Sequence, residues 1–473
     1  ILDAFVYHNY SINDLPGSVR LGKQVVSWGE STFISNSINS INPIDASAFR
    51  RPGAEIKEGL IPVNMFYVNQ SLTESLSMET FYQLEWDQSV ADNCGTFFSG
   101  TDVVADGCDK NLTAGSPAVA PLQPIAAGFG QGFDIEREGV VIPRGGDRDA
   151  RDNGQYGLAL HWLGEDTEYG AYFMNYHSRS PFFNTKTADA NTFTALGAVN
   201  NAASILGQTC AAFGGFPACA SAPGFAASAS GLAQSTALGN GEYFISYPED
   251  IRLYGLSFST VLPFGSSWAG EVSYRPNAPV QINTTALNTA LVNPLTDGAA
   301  APTIDTAPGA ENKGYRRKEI TQMQTTLTHF FDQMLGASRL TLVGEVGLTH
   351  VGGLERTSEL QYGRDSIYGA YSAANDDGFV TRTSWGYRAR AILDYPSVFA
   401  GVNLKPNLSW SHDVDGYGPN GLFNEGSKSV SLGLDADYQN TYTASLAYTD
   451  FFGGDFNTAI DRDFVAFSVG VNF

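Results

Sequence analysis

Apolar and polar residues alternate along many extended segments of this chain, and the last segment shows the pattern most clearly. One side of the predicted strand in residues 461–473 carries Val465, Phe467, Val469, Val471 and Phe473, and the other side carries small or polar residues. A strand of about ten residues with one apolar face can cross a bilayer as part of a β-barrel. The same alternation also fits an edge strand of a soluble β-sandwich, so this segment alone leaves both interpretations open.

The same period of two recurs in further segments, namely residues 75–86, 268–275, 339–349, 384–393, 402–410, 429–438 and 441–448. These predicted strands are longer than the strands of about five to six residues that are usual in soluble sheets. Aromatic residues recur near strand ends, as they do at the two surfaces of a membrane: Trp86, Trp268, Trp385, Trp410, Tyr438 and Tyr448. Together these features favour a membrane barrel over a sandwich.

Short turns alternate with long connections between the predicted strands. The long connections include residues 29–59, 87–153, 178–250 and 276–315, whereas Gln439 and Asn440 alone form a tight turn. This alternation is typical of an up-and-down barrel, in which short turns face the periplasm and long loops face the outside. We therefore predict an all-β fold: a transmembrane up-and-down antiparallel β-barrel of about 16 strands, forming one domain over residues 1–473, with residues 87–153 and 178–250 as extracellular loops.

The number of strands also bears on the start of the chain. Counting back from the last strand gives about fifteen strands, and single-chain bacterial barrels have even numbers of strands. We therefore expect one further strand before Ile1. The sequence shows no signal peptide at its start, which we interpret as the result of processing or trimming.

The connection at residues 29–59 is polar and is interrupted by Pro43 and Pro52. It carries five charged residues that are candidates for a plug inside the barrel: Arg50, Arg51, Glu55, Lys57 and Glu58. A loop of this kind either folds into the lumen and closes it or remains an ordinary surface loop. The sequence leaves both possibilities open.

The charge balance excludes one class of partner. The chain has 27 Lys and Arg residues against 49 Asp and Glu residues, which gives a net charge of −22. Nucleic acids bind clustered Lys and Arg, so we expect no nucleic acid partner. No segment reaches the ~20 consecutive apolar residues that a membrane-spanning helix needs.

The four cysteines form two close pairs along the sequence. Proximity predicts the disulfides Cys94–Cys108 and Cys210–Cys219, formed in an oxidising compartment such as the periplasm. A zinc site is the competing interpretation. The CxxC spacing and neighbouring histidines that such sites use are absent here, which favours disulfides.

Charged residues of both signs fall on the polar faces of the predicted strands and are candidates for lining a lumen and setting its selectivity: Glu79, Glu85, Glu271, Arg275, Arg339, Glu345, Arg388, Arg390 and Lys405. Salt bridges that only stiffen the wall are the alternative. An acidic cluster of Asp147, Asp149 and Asp152 is a weak calcium candidate. Because Arg148 and Arg151 lie between these acids, an ion-pair network is favoured there, and we expect no metal site.

Catalysis has little support in the sequence. The six histidines lie on separate predicted strands, and there is no GxSxG segment and no His-x-Ser pair. A barrel lipase needs a serine and a histidine close together with a third orienting residue. We therefore expect a protein that is not an enzyme and that has no cofactor.

Three segments resemble a known bacterial family, the domain-of-unknown-function family numbered 1302. They are Arg20–Glu30 (RLGKQVVSWGE), Ile41–Asp45 (INPID) and Arg51–Glu58 (RPGAEIKE). The terminal Phe473 is also similar to the carboxyl-terminal signal of outer-membrane barrels. The resemblance implies an outer-membrane protein of a Gram-negative bacterium. It also implies a gene neighbourhood with a periplasmic protein of the family numbered 1329, which is similar to a lipid carrier, and with an inner-membrane transporter of the resistance-nodulation-division (RND) class.

These features together predict a monomeric channel in contact with membrane lipids or lipopolysaccharide. We expect it to pass a lipid or other hydrophobic compound across the outer membrane, together with the periplasmic carrier and the RND-type transporter. The alternative is a general or substrate-selective diffusion porin for small polar solutes. A barrel lipase and an adhesive or structural barrel are less favoured.

Overall fold

The computed structural model describes residues 3–47, 59–128, 130–198, 222–295 and 304–472. The strands are β1 (Ala4–Ile12), β2 (Leu15–Gln24), β3 (Val63–Ser71), β4 (Leu76–Gln83), β5 (Thr113–Ala114), β6 (Ile135–Glu136), β7 (Gly139–Val141), β8 (Tyr156–Leu163), β9 (Thr167–Tyr176), β10 (Phe182–Lys186), β11 (Glu242–Ser246), β12 (Ile251–Val261), β13 (Ser267–Gln281), β14 (Glu311–Asn312), β15 (Tyr315–Asp332), β16 (Arg339–Gly352), β17 (Thr383–Phe399), β18 (Val402–Asp415), β19 (Lys428–Tyr438), β20 (Tyr442–Phe452) and β21 (Phe464–Val471).

In the described ranges helices are few and lie in the long connections. The α-helices are Gln123–Gly128, Ala222–Asn240 and Thr284–Val292, with a further helical stretch at 190–198. Short 3-10 helices cover Pro117–Leu122, Asn293–Leu295, Ser366–Tyr368 and Pro419–Gly421. Over the part of the chain that the structure describes, every helix is too short or too polar to cross a membrane.

Fifteen long strands form one antiparallel sheet, which we call the wall. They pair in the order of the sequence, β1-β2-β3-β4-β8-β9-β12-β13-β15-β16-β17-β18-β19-β20-β21. Asn13 and Asp14 join β1 to β2, and Gln439, Asn440 and Thr441 join β19 to β20. Asn13 and Asp14 both have positive φ, which suits a two-residue turn that fits the right-handed twist of a hairpin, and Gln439 and Asn440 also have positive φ. The all-β class and the large antiparallel sheet are thus confirmed, whereas ring closure and a sixteenth strand stay predictions.

The two faces of the wall differ in the way the alternation predicts. On β21, Val465, Phe467 and Val469 are 68%, 69% and 70% exposed. Large apolar side chains are likewise exposed on one face of other strands, including Leu256, Trp268, Met323, Leu327, Val346, Leu432 and Leu446. The opposite face carries buried polar residues, including Ser257, Glu271, Ser273, Gln322, Gln324 and Glu345. This is the inverse of a soluble sandwich, in which the apolar face is buried.

The long connections pack against one another and contain strands and helices of their own. The sequence pattern did not predict these elements. β10 pairs with β11 and β14, and β5, β6 and β7 form a second small sheet. Tyr243, Ile142, Ile245, Ile282 and Leu287 are fully buried between these pieces. The connections therefore form a packed layer at one end of the wall.

The disulfide predicted for the connection at residues 87–153 is present. Cys94 and Cys108 are bonded to each other, as their proximity in sequence indicates. The second predicted pair, Cys210 and Cys219, lies outside the described residues.

Candidate functional site

Residues 26–44, which follow β2, run along the buried polar face of the wall; we call them the inner segment. Trp28 anchors its start: the indole Nε1 donates a hydrogen bond of 2.7 Å to Glu79 Oε2. The Trp28 ring packs against Phe81 and Tyr172, with centroid distances of 5.1 and 5.9 Å. Trp28 is 3% exposed, so it is fully enclosed between the segment and the wall.

Glu345 on β16 holds the middle of the inner segment. Its carboxylate accepts hydrogen bonds from the backbone N–H groups of Thr32, Phe33 and Ile34, at 3.1, 2.6 and 2.8 Å. Glu345 is 1% exposed. A buried carboxylate needs such partners because burial removes its hydration, and hydrogen bonds to an ionised group are stronger than neutral ones.

Glu271 on β13 is a second carboxylate anchor. It accepts hydrogen bonds from the backbone N–H groups of Glu30 at 2.5 Å and Ile38 at 3.4 Å. The Gln324 side chain donates to the same carboxylate at 3.1 Å. A Cβ atom on Gly29 would lie 2.4 Å from Glu271 Oε2, and the φ of Gly29 is +87°. Glycine is therefore the residue that allows the backbone to approach this carboxylate.

The end of the inner segment returns to the part of the wall that its start contacts. Asn42 Oδ1 accepts from Val26 N at 3.0 Å, and Asn42 Nδ2 donates to the carbonyls of Gln24 and Ile61 at 3.1 and 3.0 Å. The Ile41 carbonyl accepts a further hydrogen bond of 2.9 Å from Gln83 Nε2. The segment thus contacts β4 near both ends and β13 and β16 along its middle, so the wall curves around it.

Burial raises the pKa of Glu30 from its usual 4.5 to about 7, and the nearby carboxylates of Glu168 and Glu271 add to the effect. The packed segment therefore favours the protonated form of Glu30. The stabilisation that protonated Glu30 gives to the packed segment is complete below about pH 4.5 and is lost as the pH rises through about 7.

We expect the inner segment to leave the wall more often at pH 8 than at pH 6. The Glu30→Gln variant should lose this pH dependence, because a neutral amide replaces the carboxyl group. Ionic current through the reconstituted protein measures the effect at both pH values. Equal pH dependence in the variant and the parent would contradict it.

The structure brings four of the nine predicted lumen residues to the inner segment: Glu79, Glu271, Arg275 and Glu345. The others mostly pair within or near the wall, as the stiffening alternative expects. Glu85 accepts from Asn64 at 2.5 Å and lies 3.7 Å from Lys23, and Arg388 pairs with Asp413 at 2.7 Å. Arg339 pairs with Asp332 at 3.4 Å, Lys405 pairs with Asp394 at 3.6 Å, and Arg390 is partly buried on β17.

The predicted plug residues Arg50, Arg51, Glu55, Lys57 and Glu58 lie outside the described residues. Residues 29–44 of the 29–59 connection, which belong to the inner segment, come before them in the chain and run along the buried polar face of the wall. Their main contacts are backbone N–H groups and neutral side chains, which charge patterning cannot reveal. Gln322 and Gln324 also contact this part of the connection, and their alternation along β15 places them on the inner face.

The acidic cluster considered for calcium is divided among other partners. Asp147 pairs with Arg144 at 2.6 Å, and Asp152 accepts from the backbone N–H of Trp86 at 2.9 Å. Asp149 lies beside a surface pocket lined by Arg148. Across the described residues, no three His, Cys, Asp or Glu side chains are grouped so that they can hold a metal ion.

One contact between a serine and a histidine could not be identified from the sequence. Ser266 Oγ lies 2.5 Å from His329 Nδ1, although the two residues are 63 positions apart. Ser266 is only 1% exposed. Within the described ranges no hydrogen bond orients the other ring nitrogen of His329. The contact therefore orders the turn before β13, and it lacks the accessible nucleophile and third residue that hydrolysis requires.

Comparisons with known proteins give weak structural likenesses. A search of curated proteins finds no match. Solved structures similar to this chain include a FadL homologue of Pseudomonas aeruginosa, with 12% identity, a TM-score of 0.31, and coverage of 87% of this chain and 76% of the other. OprB of Pseudomonas putida has 9% identity, a TM-score of 0.33, and coverage of 97% and 81%. OccAB1 of Acinetobacter baumannii has 9% identity, a TM-score of 0.35, and coverage of 96% and 73%.

The family comparison covers the whole chain. The model described as "Protein of unknown function (DUF1302)" matches residues 1–473. This confirms the resemblance carried by Arg20–Glu30, Ile41–Asp45 and Arg51–Glu58. The chain belongs to the DUF1302 family.

Proposed function

We propose that this protein is an outer-membrane channel whose passage is closed by the inner segment. The observation that carries the proposal is the difference between the two faces of the wall. Aliphatic and aromatic side chains cover the outward face, and buried polar side chains on the other face hold residues 26–44. A passage lined in this way is polar, and a segment bound across it obstructs flow.

The outward face supports a place in a lipid bilayer. Exposed side chains such as Leu256, Leu432 and Phe467 gain nothing in water but are compatible with hydrocarbon. For the wall strands between β1 and β21, antiparallel neighbours on both sides also satisfy the backbone hydrogen-bonding groups, as a bilayer requires. Up-and-down strands of this kind are typical of the outer membrane of Gram-negative bacteria, which is the location that we propose.

Conductance in a planar bilayer tests the channel and its closure. We expect the refolded protein to pass little steady current, because Glu271 and Glu345 hold the inner segment against the wall. Brief openings of the channel should appear as short increases above this low current. Folding is checked by the shift in gel mobility between heated and unheated samples.

The cargo that we propose is a lipid or other hydrophobic compound, handed over with a periplasmic lipid carrier and an RND-type transporter. Membership of the family supports this choice, because the resemblance implies those two partners. The outward face also has an apolar groove of about 610 Å³, lined in part by Leu327, Phe331, Ala391 and Trp410. Such a groove is suited to an acyl chain. Mass spectrometry of lipids that co-purify with the chain, compared with an unrelated refolded barrel, tests the cargo.

A diffusion porin for small polar solutes is the second candidate. The observation that favours it is the inner wall, which carries both acidic and basic groups such as Glu79 and Arg388. A porin predicts a steady open current in the unaltered protein. That result would replace the closed-channel proposal.

A further inference from the structure

A cavity of about 350 Å³ lies between the inner segment and the wall. It is placed where β9 ends and β12 begins, next to the long connections. Two arginines line it: Arg179, just after β9, and Arg275 on β13. We call it the arginine cavity. Its volume lies within the range of about 300–1,000 Å³ that is usual for small-molecule sites.

Both arginines are buried and positioned by neutral groups. Arg179 is 7% exposed, and its Nη atoms donate to the carbonyl oxygens of Asp87 at 3.1 Å and Ile41 at 3.2 Å and to the Gln83 side chain. Arg275 is 8% exposed and donates to the Gln322 side chain at 3.2 Å and to the Asn36 carbonyl. These contacts fix the two guanidinium groups, which gives the cavity a preorganised pair of cations.

Each of the two guanidinium groups still has a hydrogen-bond donor that no described group accepts from. The Nε atoms of Arg179 and Arg275 are buried, and no group in the described part of the chain forms a hydrogen bond with them. Among the described residues neither arginine forms an ion pair, and no Asp or Glu lines the cavity. Burial lowers the pKa of Arg179 to about 10, and the negative charge of Asp87 partly offsets this, so the group stays cationic at neutral pH. In a chain of net charge −22, this is a local excess of positive charge.

The remaining lining residues combine uncharged polar and apolar groups. Asn36, Asn42 and Ser178 supply uncharged polar groups, and Phe182 and Ile320 supply apolar surface. A guanidinium group recognises a carboxylate through paired N–H donors, and a buried cation is stabilised by such a partner. The apolar surface suits the hydrocarbon part of the same molecule, because burying it is favourable.

We infer that the arginine cavity binds an organic monocarboxylate, with the carboxylate on Arg179 and Arg275 and the hydrocarbon part on Phe182 and Ile320. The inference deepens the proposed function, on which it rests, by naming a class of solute for the passage. Binding and conduction are measured separately, so one can fail while the other stands.

Calorimetry on the full refolded chain in detergent tests the inference, with octanoate as the probe and octanamide as its neutral counterpart. We expect octanoate to bind about tenfold or more tightly than octanamide, because a hydrogen-bonded ion pair replaces a neutral contact. This comparison uses the unaltered protein and needs no variant to fold. Equal binding of the two probes, or tighter binding of inorganic phosphate than of octanoate, would overturn the inference.

Two variants locate the site. Arg179→Gln and Arg275→Gln should each weaken octanoate binding about tenfold or more, whereas binding of octanamide should stay the same. Arg364→Gln is the matched control, because Arg364 also has a buried Nε without a partner among the described residues but lines neither this cavity nor the apolar groove. Arg179→Lys replaces Arg179→Gln if the latter fails to refold, and partial retention is expected because Lys lacks the paired donors. Unchanged octanoate affinity in the Arg179 and Arg275 variants would refute the assignment.

Discussion

Replacing Glu345 with glutamine is expected to release the inner segment and open the channel. The carboxylate accepts three backbone hydrogen bonds, from Thr32, Phe33 and Ile34. A glutamine keeps one acceptor oxygen but turns an NH₂ group towards one of these donors. Hydrogen bonds to charged groups contribute about 1.5–3 kcal/mol each, so the variant should lose about 2–3 kcal/mol of attachment. That loss shifts the balance between bound and released segment by about 30- to 150-fold.

The measurement is the fraction of time that single molecules spend open in a planar bilayer. Glu85→Gln is the matched control, because Glu85 contacts Asn64 and Lys23 and not the inner segment. The control should remain as closed as the parent protein. A Glu345→Gln protein that refolds and stays closed would show that this anchor does not limit conduction.

Much of the wall could be predicted from the sequence because strand faces are a local property. Period-two alternation needs only neighbouring residues, and it placed Glu271 and Glu345 on the polar face. The Cys94–Cys108 disulfide followed in the same way from a separation of 14 residues. Likewise, the Gln439–Asn440 turn required only a short polar break between two alternating segments.

The candidate site could be predicted only in part, because its contacts join residues far apart in sequence. The hydrogen bond from Thr32 to Glu345 spans 313 positions, and no local pattern reports it. The donors in the inner segment are mostly backbone N–H groups, which every residue carries. Arg179 follows the end of β9, where the alternation stops, so its direction could not be derived. The packing of the long connections depends on similar distant contacts.

A reversible lock on the inner segment gives the second large expected effect. Ser37 Oγ and Ser273 Oγ are 3.1 Å apart, one on the inner segment and the other on β13. Cysteines at both positions place two sulfur atoms close enough for bonding with little backbone movement. In a protein that also carries Glu345→Gln, the oxidised pair should keep the channel closed, and reduction should restore the open current.

The lock separates movement of the inner segment from other routes of opening. Each single cysteine in the Glu345→Gln protein should stay open under oxidising conditions, and the Glu345→Gln protein without added cysteines controls for reduction of Cys94–Cys108. If the oxidised double-cysteine protein conducts as freely as its reduced form, ions pass the wall without displacement of residues 26–44. Closure that appears only with both cysteines oxidised would mean that the segment itself is the gate, because the disulfide constrains no other pair of elements.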